Sequence, residues 1–114
     1  MNFETRASGR YLVVTILEDR LGADRALSFK ESITQLIDNG HRAFVVDFSQ
    51  VTFIDSSGLG AILSIAKRLG TAGDFLIAGT CETVGSMFKL TRMNRIFPMF
   101  ATVEEALAAP RVCP

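Results

Sequence analysis

Apolar residues along this chain fall into a few short continuous runs, and between the runs they recur at every third or fourth position. The continuous runs barely alternate with polar residues, which is typical of strands buried on both faces of a sheet. Residues 3–6 alternate between apolar and polar positions, and Ser8-Gly9 lies between them and the first continuous run, residues 11–17. This arrangement indicates a hairpin turn. The predicted strands are residues 3–6, 11–17, 43–48, 75–78 and a short one around 96–100.

Helical spacing fills the intervals between these strands. Leu27, Ile33, Leu36 and Ile37 recur on one side of the first helix, and Asn39-Gly40 provides its stop. The core-facing positions predicted for the second helix are Leu59, Ile62, Leu63, Ala66 and Leu69. The predicted helices span residues 24–38, 57–69, 82–90 and 103–108.

The alternation of strands and helices indicates an α/β fold, because right-handed crossovers pack helices against a largely parallel sheet. We expect a single domain over residues 1–114, with a mostly parallel central sheet and an N-terminal antiparallel hairpin. About four helices should pack against this sheet. Residues 109–114 follow the last helix and are expected to form a loose tail.

The charge balance gives the chain no overall field that would attract nucleic acid or an anionic membrane. Twelve Lys and Arg residues oppose 12 Asp and Glu residues. Residues 1–10 lack the apolar segment of a secretory signal, and no apolar run reaches the roughly 18 residues of a membrane span. We therefore expect a cytoplasmic protein that binds neither a membrane nor nucleic acid directly.

Residues suited to enzyme chemistry are scarce. The one histidine, His41, lies in a predicted turn, and no G-x-S-x-G motif supplies a serine for it to activate. Gly58-Leu59-Gly60 lacks the lysine of a phosphate-binding loop and the third glycine of a dinucleotide site. Cys81 and Cys113 lack the spacing of metal ligands. The sequence thus predicts no catalytic residue, no metal site and no cofactor.

The segment Asp55-Ser56-Ser57-Gly58-Leu59-Gly60 is the most informative one, because it places serines at the start of the second helix. Either Asp55 or Ser56 could cap that helix through a side-chain oxygen. A phosphoryl group on Ser56 would meet the positive helix end and add roughly 1.5 to 2 negative charges at neutral pH. Modification could therefore change the surface and leave the fold standing.

A second stripe on this helix, formed by Gly58, Ala61, Ile65 and Arg68, is not required by the predicted core. Two interpretations remain open at this point. The stripe could receive a protein partner beside the modifiable serine, or Ile65 could simply pack beneath a loop.

Residues 47–60 resemble the signature of STAS domains, the family of sulfate-transporter and anti-sigma-factor antagonist domains. The resemblance runs along almost the whole chain. Residues 20–23 are similar to the segment that leads into the family's first helix, residues 87–97 to its third helix and last strand, and residues 103–107 to its closing helix.

This resemblance implies an anti-sigma-factor antagonist that acts by partner switching and catalyses nothing itself. Ser56 falls on the serine that the family phosphorylates. The unmodified antagonist binds an anti-sigma factor that is also a GHKL-type serine kinase, phosphorylation ends the binding, and a serine phosphatase reverses it. The residues predicted to bind the partner are Asp24, Asp55, Ser56, Ser57, Gly58, Leu59, Ala61 and Ile65.

One position departs from the family pattern. Many relatives carry a partner-contacting acidic residue directly after the leucine that corresponds to Leu21, and this chain has Gly22. Asp19 and Asp24 are candidates to compensate. An alternative function is a STAS subunit of a larger assembly, such as a lipid-transport ATPase complex or a stress-sensing particle, with the same surface as a constitutive contact.

Overall fold

The computed structural model describes residues 2–71 and 73–109 as a single α/β domain. The strands are β1 Phe3–Ser8, β2 Tyr11–Ile16, β3 Arg20–Leu21, β4 Ala43–Asp47, β5 Phe53–Ile54, β6 Asp74–Ala78 and β7 Met99–Phe100. The α-helices are α1 Ala23–Asp38, α2 Ser56–Leu69, α3 Glu82–Leu90 and α4 Val103–Ala108, and a 3₁₀ helix spans Met93–Arg95.

The main sheet has the strand order β1-β2-β4-β6-β7. β1 pairs antiparallel with β2, from Phe3 opposite Ile16 to Ser8 opposite Tyr11, which confirms the predicted hairpin. All the other neighbours in this sheet are parallel. The predicted fold class, a mostly parallel sheet with an N-terminal hairpin and four helices, is therefore confirmed.

The central strands bury side chains on two faces. Val14, Val46 and Ile77 lie next to one another across β2, β4 and β6 and belong to the larger core, together with residues of α1, α2 and α3. The preceding residue of each strand points to the opposite face and packs with Val103 and Ala106 of α4. Coverage of both faces explains why these strands show apolar runs without alternation.

The predicted strand over residues 96–100 is shorter in the structure, where β7 has only two residues. Phe97 precedes it and is buried, with its ring centroid 5.5 Å from that of Phe75. Pro98 has no N–H group for a ladder, and its carbonyl accepts a hydrogen bond from Ile77 N at 3.0 Å. The apolar residue Phe97 therefore reflects packing rather than strand pairing, whereas Ile96 is exposed.

Helix starts also differ from the prediction by one residue, since α1 begins at Ala23 and α2 at Ser56. Most of the tail predicted at 109–114 lies outside the described residues. Ala109 is described as the C-cap of α4.

The separate sheet formed by β3 and β5 was not predicted, because two-residue strands leave no periodic signal. The two strands are parallel, with Arg20 opposite Phe53 and Leu21 opposite Ile54. Gly58, in the first turn of α2, packs directly against this pair. A Cβ atom at Gly58 would collide with the carbonyl oxygen of Leu21 and lie 2.8 Å from Cγ1 of Ile54.

Gly58→Ala is therefore expected to lower the free energy of unfolding by at least about 2 kcal/mol, since backbone would have to move to admit the methyl group. Gly60→Ala is the matched control on the same helix, because a Cβ there meets nothing within 4 Å. It should raise stability by about 0.5–1 kcal/mol through helix propensity. Urea titrations of both variants measure the difference, and a Gly58→Ala chain as stable as the parent would contradict the packing argument.

Candidate functional site

The candidate site lies where α1 and α2 begin side by side. Each helix starts directly after one strand of the β3–β5 pair, and Leu21 and Ile54 are register partners. The next residue in each segment, Gly22 and Asp55, is the N-cap of its helix. The in-register pairing therefore brings two helix N-termini, with their unpaired N–H groups, to the same place.

The Asp55 side chain caps both helices. Its Oδ1 accepts a hydrogen bond from Gly58 N of α2 at 3.0 Å, and its Oδ2 accepts one from Ala23 N of α1 at 3.3 Å. The carboxylate thus lies at the positive ends of two helix dipoles. Of the two caps considered for α2, the structure selects Asp55, and Ser56 is the first residue of the helix.

Gly22 is adapted to this shared cap. It has no side chain with which to cap α1, and an added Cβ would lie only 3.1 Å from Oδ2 of Asp55. A carboxylate at position 22 would crowd Asp55 and repel it. Asp55 therefore supplies the side-chain acceptor for α1 that Gly22 lacks.

Ser56 and Ser57 are exposed in the first turn of α2. Asp24 of α1 is also available from solvent, with 73% of its side chain exposed. The structure thus brings four of the predicted site residues together at the helix starts: Asp24, Asp55, Ser56 and Ser57.

Of the two interpretations left open for the stripe on α2, the one in which its apolar residues form an exposed contact surface is wrong. Gly58 is buried, Ala61 is 7% exposed, and Ile65 is fully buried within the main core. Leu59, at 5% exposure, belongs to the same core. The buried arc of α2 is wide because the helix packs against α1 as well as the sheet. These four residues therefore lie beneath the surface of the site.

The remaining stripe residue, Arg68, is exposed and forms an ion pair with Asp38 of α1. The guanidinium nitrogen lies 2.6 Å from Oδ1 of Asp38. This contact joins the C-terminal ends of α1 and α2, as Asp55 joins their N-terminal ends. The two helices therefore run side by side in the same direction.

Leu27 was also placed wrongly by sequence reasoning. It was assigned to the core side of α1, yet 64% of it is exposed. The signal was present in the spacing, since Leu27 precedes the buried Phe29 by two residues and so lies about 200° away around a helix.

Within residues 2–71 and 73–109, no group of His, Cys, Asp and Glu side chains is arranged to hold a metal ion. In the same described ranges, no helix is long and apolar enough to cross a membrane.

Asp55→Ala is expected to lower the free energy of unfolding by about 2 kcal/mol, because each lost cap costs about 1 kcal/mol. Asp55→Asn is the sharper variant, since its amide keeps one acceptor oxygen for Gly58 N and offers only donors toward Ala23 N. Amide hydrogen exchange should therefore accelerate at both positions in the Ala variant and at Ala23 alone in the Asn variant. Unchanged exchange at Ala23 in both variants would show that Asp55 does not cap α1.

Comparison with known proteins gives consistent results. A relative from Thermotoga maritima, provisionally named an anti-sigma factor antagonist, is 28% identical over 102 residues, covering 88% of this chain and 90% of the relative. A crystal structure from the same organism, with the same provisional name, matches with a TM-score of 0.82 at 27% identity, covering 92% of this chain and 91% of the other.

A third similar protein is the anti-sigma factor antagonist SpoIIAA, which has been solved in unphosphorylated and phosphorylated forms. The phosphorylated form, from Bacillus, shares the fold with a TM-score of 0.71 at 24% identity, covering 93% of this chain and 96% of that one. The model of the STAS domain family matches residues 2–106, nearly the whole chain. The chain therefore belongs to the STAS domain family.

Proposed function

We propose that this protein is an anti-sigma factor antagonist whose binding is controlled by phosphorylation of Ser56. The observation that carries the proposal is the exposed position of Ser56 at the start of α2, directly after the shared cap Asp55. The names of the similar proteins support an anti-sigma factor as the partner. The existence of SpoIIAA in a phosphorylated form supports the mode of control.

In the proposed cycle, the unphosphorylated chain binds an anti-sigma factor that is also a GHKL-type serine kinase. That kinase transfers a phosphoryl group from ATP to the Ser56 hydroxyl, and the complex separates. A serine phosphatase removes the group and restores binding. The chain needs no cofactor or catalytic residue of its own for this role, which we place in the cytoplasm.

The shared cap explains why a phosphate would alter the surface more than the fold. Gly58 N and Ala23 N already donate to Asp55, so they are not available to neutralise a phosphate on Ser56. The added charge of about −1.5 to −2 would lie beside the Asp55 carboxylate and close to the start of α1, where Asp24 is exposed. A partner would have to bury this charge unpaired, at a cost of several kcal/mol.

The first test is phosphorylation by the host. The purified chain is incubated with ATP and an extract of its native host, and mass mapping locates the phosphate among Ser49, Ser56, Ser57 and Ser64. We expect phosphate on Ser56 and none in a Ser56→Ala chain, and fractionation by this activity yields the kinase. If no condition of growth gives phosphate on Ser56 and a partner still copurifies stably, the constitutive assembly role is correct instead.

The second test compares affinities for that kinase. Ser56→Ala should bind without regulation and Ser56→Asp should bind poorly, because the new carboxylate cannot be paired in the interface. A difference of about 4 kcal/mol corresponds to a change in Kd of about a thousandfold. Ser64→Ala, a half-buried serine two turns further along α2, is the matched control. Equal binding of the Ala and Asp variants at position 56 would refute the switch.

A further inference from the structure

An exposed leucine lies close to the proposed phosphorylation site. Among the described residues, the large hydrophobic side chains that are exposed are Leu27, Leu90 and Ile96. Leu27 is four residues after Ala23, whose N–H group donates to Asp55. It therefore lies about 6 Å along α1 from the shared cap.

The Arg68–Asp38 ion pair shows which side of α1 Leu27 occupies. Leu27 precedes Asp38 by eleven residues, and Ser57 precedes Arg68 by the same number. Eleven residues bring a helix back to within about 20° of its starting direction, about 16 Å closer to the N-terminus. Because α1 and α2 run in the same direction, this spacing places Leu27 and Ser57 near the N-terminal end of the helix pair, on the side marked by the ion pair.

The charges around Leu27 are mainly acidic. Asp24 and Glu31, three residues before it and four after it, are its exposed neighbours on one side, and Lys30 lies on the other. The next cation, Arg25, lies between two carboxylates, with Nε 2.8 Å from Glu18 and a terminal guanidinium nitrogen 3.8 Å from Asp24, so Glu18, Asp24 and Glu31 outnumber Arg25 and Lys30. An apolar side chain bordered by these carboxylates is complementary to an apolar hollow with basic side chains at its rim.

We propose that Leu27 is an anchor residue of the surface that binds the serine kinase acting on Ser56, and that the kinase contributes an apolar hollow rimmed by Lys or Arg. This inference rests on the proposed function and extends its interface from the start of α2 onto α1. It also gives the phosphate a direct effect. The basic rim is paired with Asp24 and Glu31, so a charge on Ser56 would be desolvated without a cation of its own whenever Leu27 is buried in the same contact.

The test uses the kinase purified through its activity on Ser56. Its affinity is measured for the Ser56→Ala chain with and without Leu27→Ala, and we expect the second change to weaken binding by about tenfold or more, as for a central interface anchor. Leu90→Ala is the matched control, because Leu90 is 80% exposed at the end of α3, and it should change Kd by less than about twofold. Thermal unfolding of each variant should match the parent, since the leucines are exposed.

A second pair of variants tests the charges. Glu31→Lys should weaken kinase binding most strongly at low salt, and Glu104→Lys on α4, across the sheet, should not. In phosphorylation assays with Ser56 intact, Leu27→Ala should raise KM and leave kcat unchanged, because the leucine contributes to docking only.

The outcomes separate the two proposals. If Ser56→Ala and Ser56→Asp differ in affinity but Leu27→Ala binds like its parent, the anchor is wrong and the switch stands. If sedimentation shows a dimer of this chain that Leu27→Ala abolishes, the surface belongs to a second copy and the kinase assignment is overturned. If no host kinase modifies Ser56, the proposed function and the anchor fail together.

Discussion

One carboxylate shared between two helix N-termini organises the site of this protein. Each oxygen of Asp55 accepts from a different helix, at 3.0 Å from Gly58 N and 3.3 Å from Ala23 N. Unpaired N–H groups at helix starts require acceptors, and here one side chain serves two helices. This arrangement needs β3 and β5 in register, a residue without a side chain at position 22, and close packing at Gly58, so these features form a single unit.

Because Asp55 makes this interaction, the structural role falls on Asp55 and the proposed regulatory role on its neighbour Ser56. Asp55 neutralises the positive helix ends, while the neighbouring serine remains exposed and makes no cap. A change in charge at Ser56 therefore acts on whatever approaches the surface, and the helices keep their acceptor. The ion pair between Arg68 and Asp38 joins the other ends of α1 and α2, so the two helices present one continuous outer face.

The sequence predicted the α/β class, the hairpin and the long elements, because buried strands and amphipathic helices leave continuous signals. The prediction failed where contacts between distant segments determine which side chains are buried and which groups they bind. Leu27 is exposed, the reverse of the expectation, and the burial of Ile65, which the pattern left open, is decided by how α1 and α2 pack together. The residue pattern indicated Asp55 and Ser56 as alternative caps for α2. It could not reveal that Asp55 also caps α1, through Ala23, which lies 32 residues away in the chain. The two-residue strands β3 and β5 carried no periodic signal at all.

The parallel pairing of β3 with β5 makes Ser56 part of a tertiary structure rather than of a linear motif. A synthetic peptide covering residues 51–63 would contain the serine and its immediate neighbours, yet it would lack Ala23 and the adjoining helix start. Its Asp55 would have one helix to cap, and a helix of this length is marginal in water. The binding of a protein that contacts both helix starts therefore depends on whether the chain is folded as well as on whether the serine is phosphorylated.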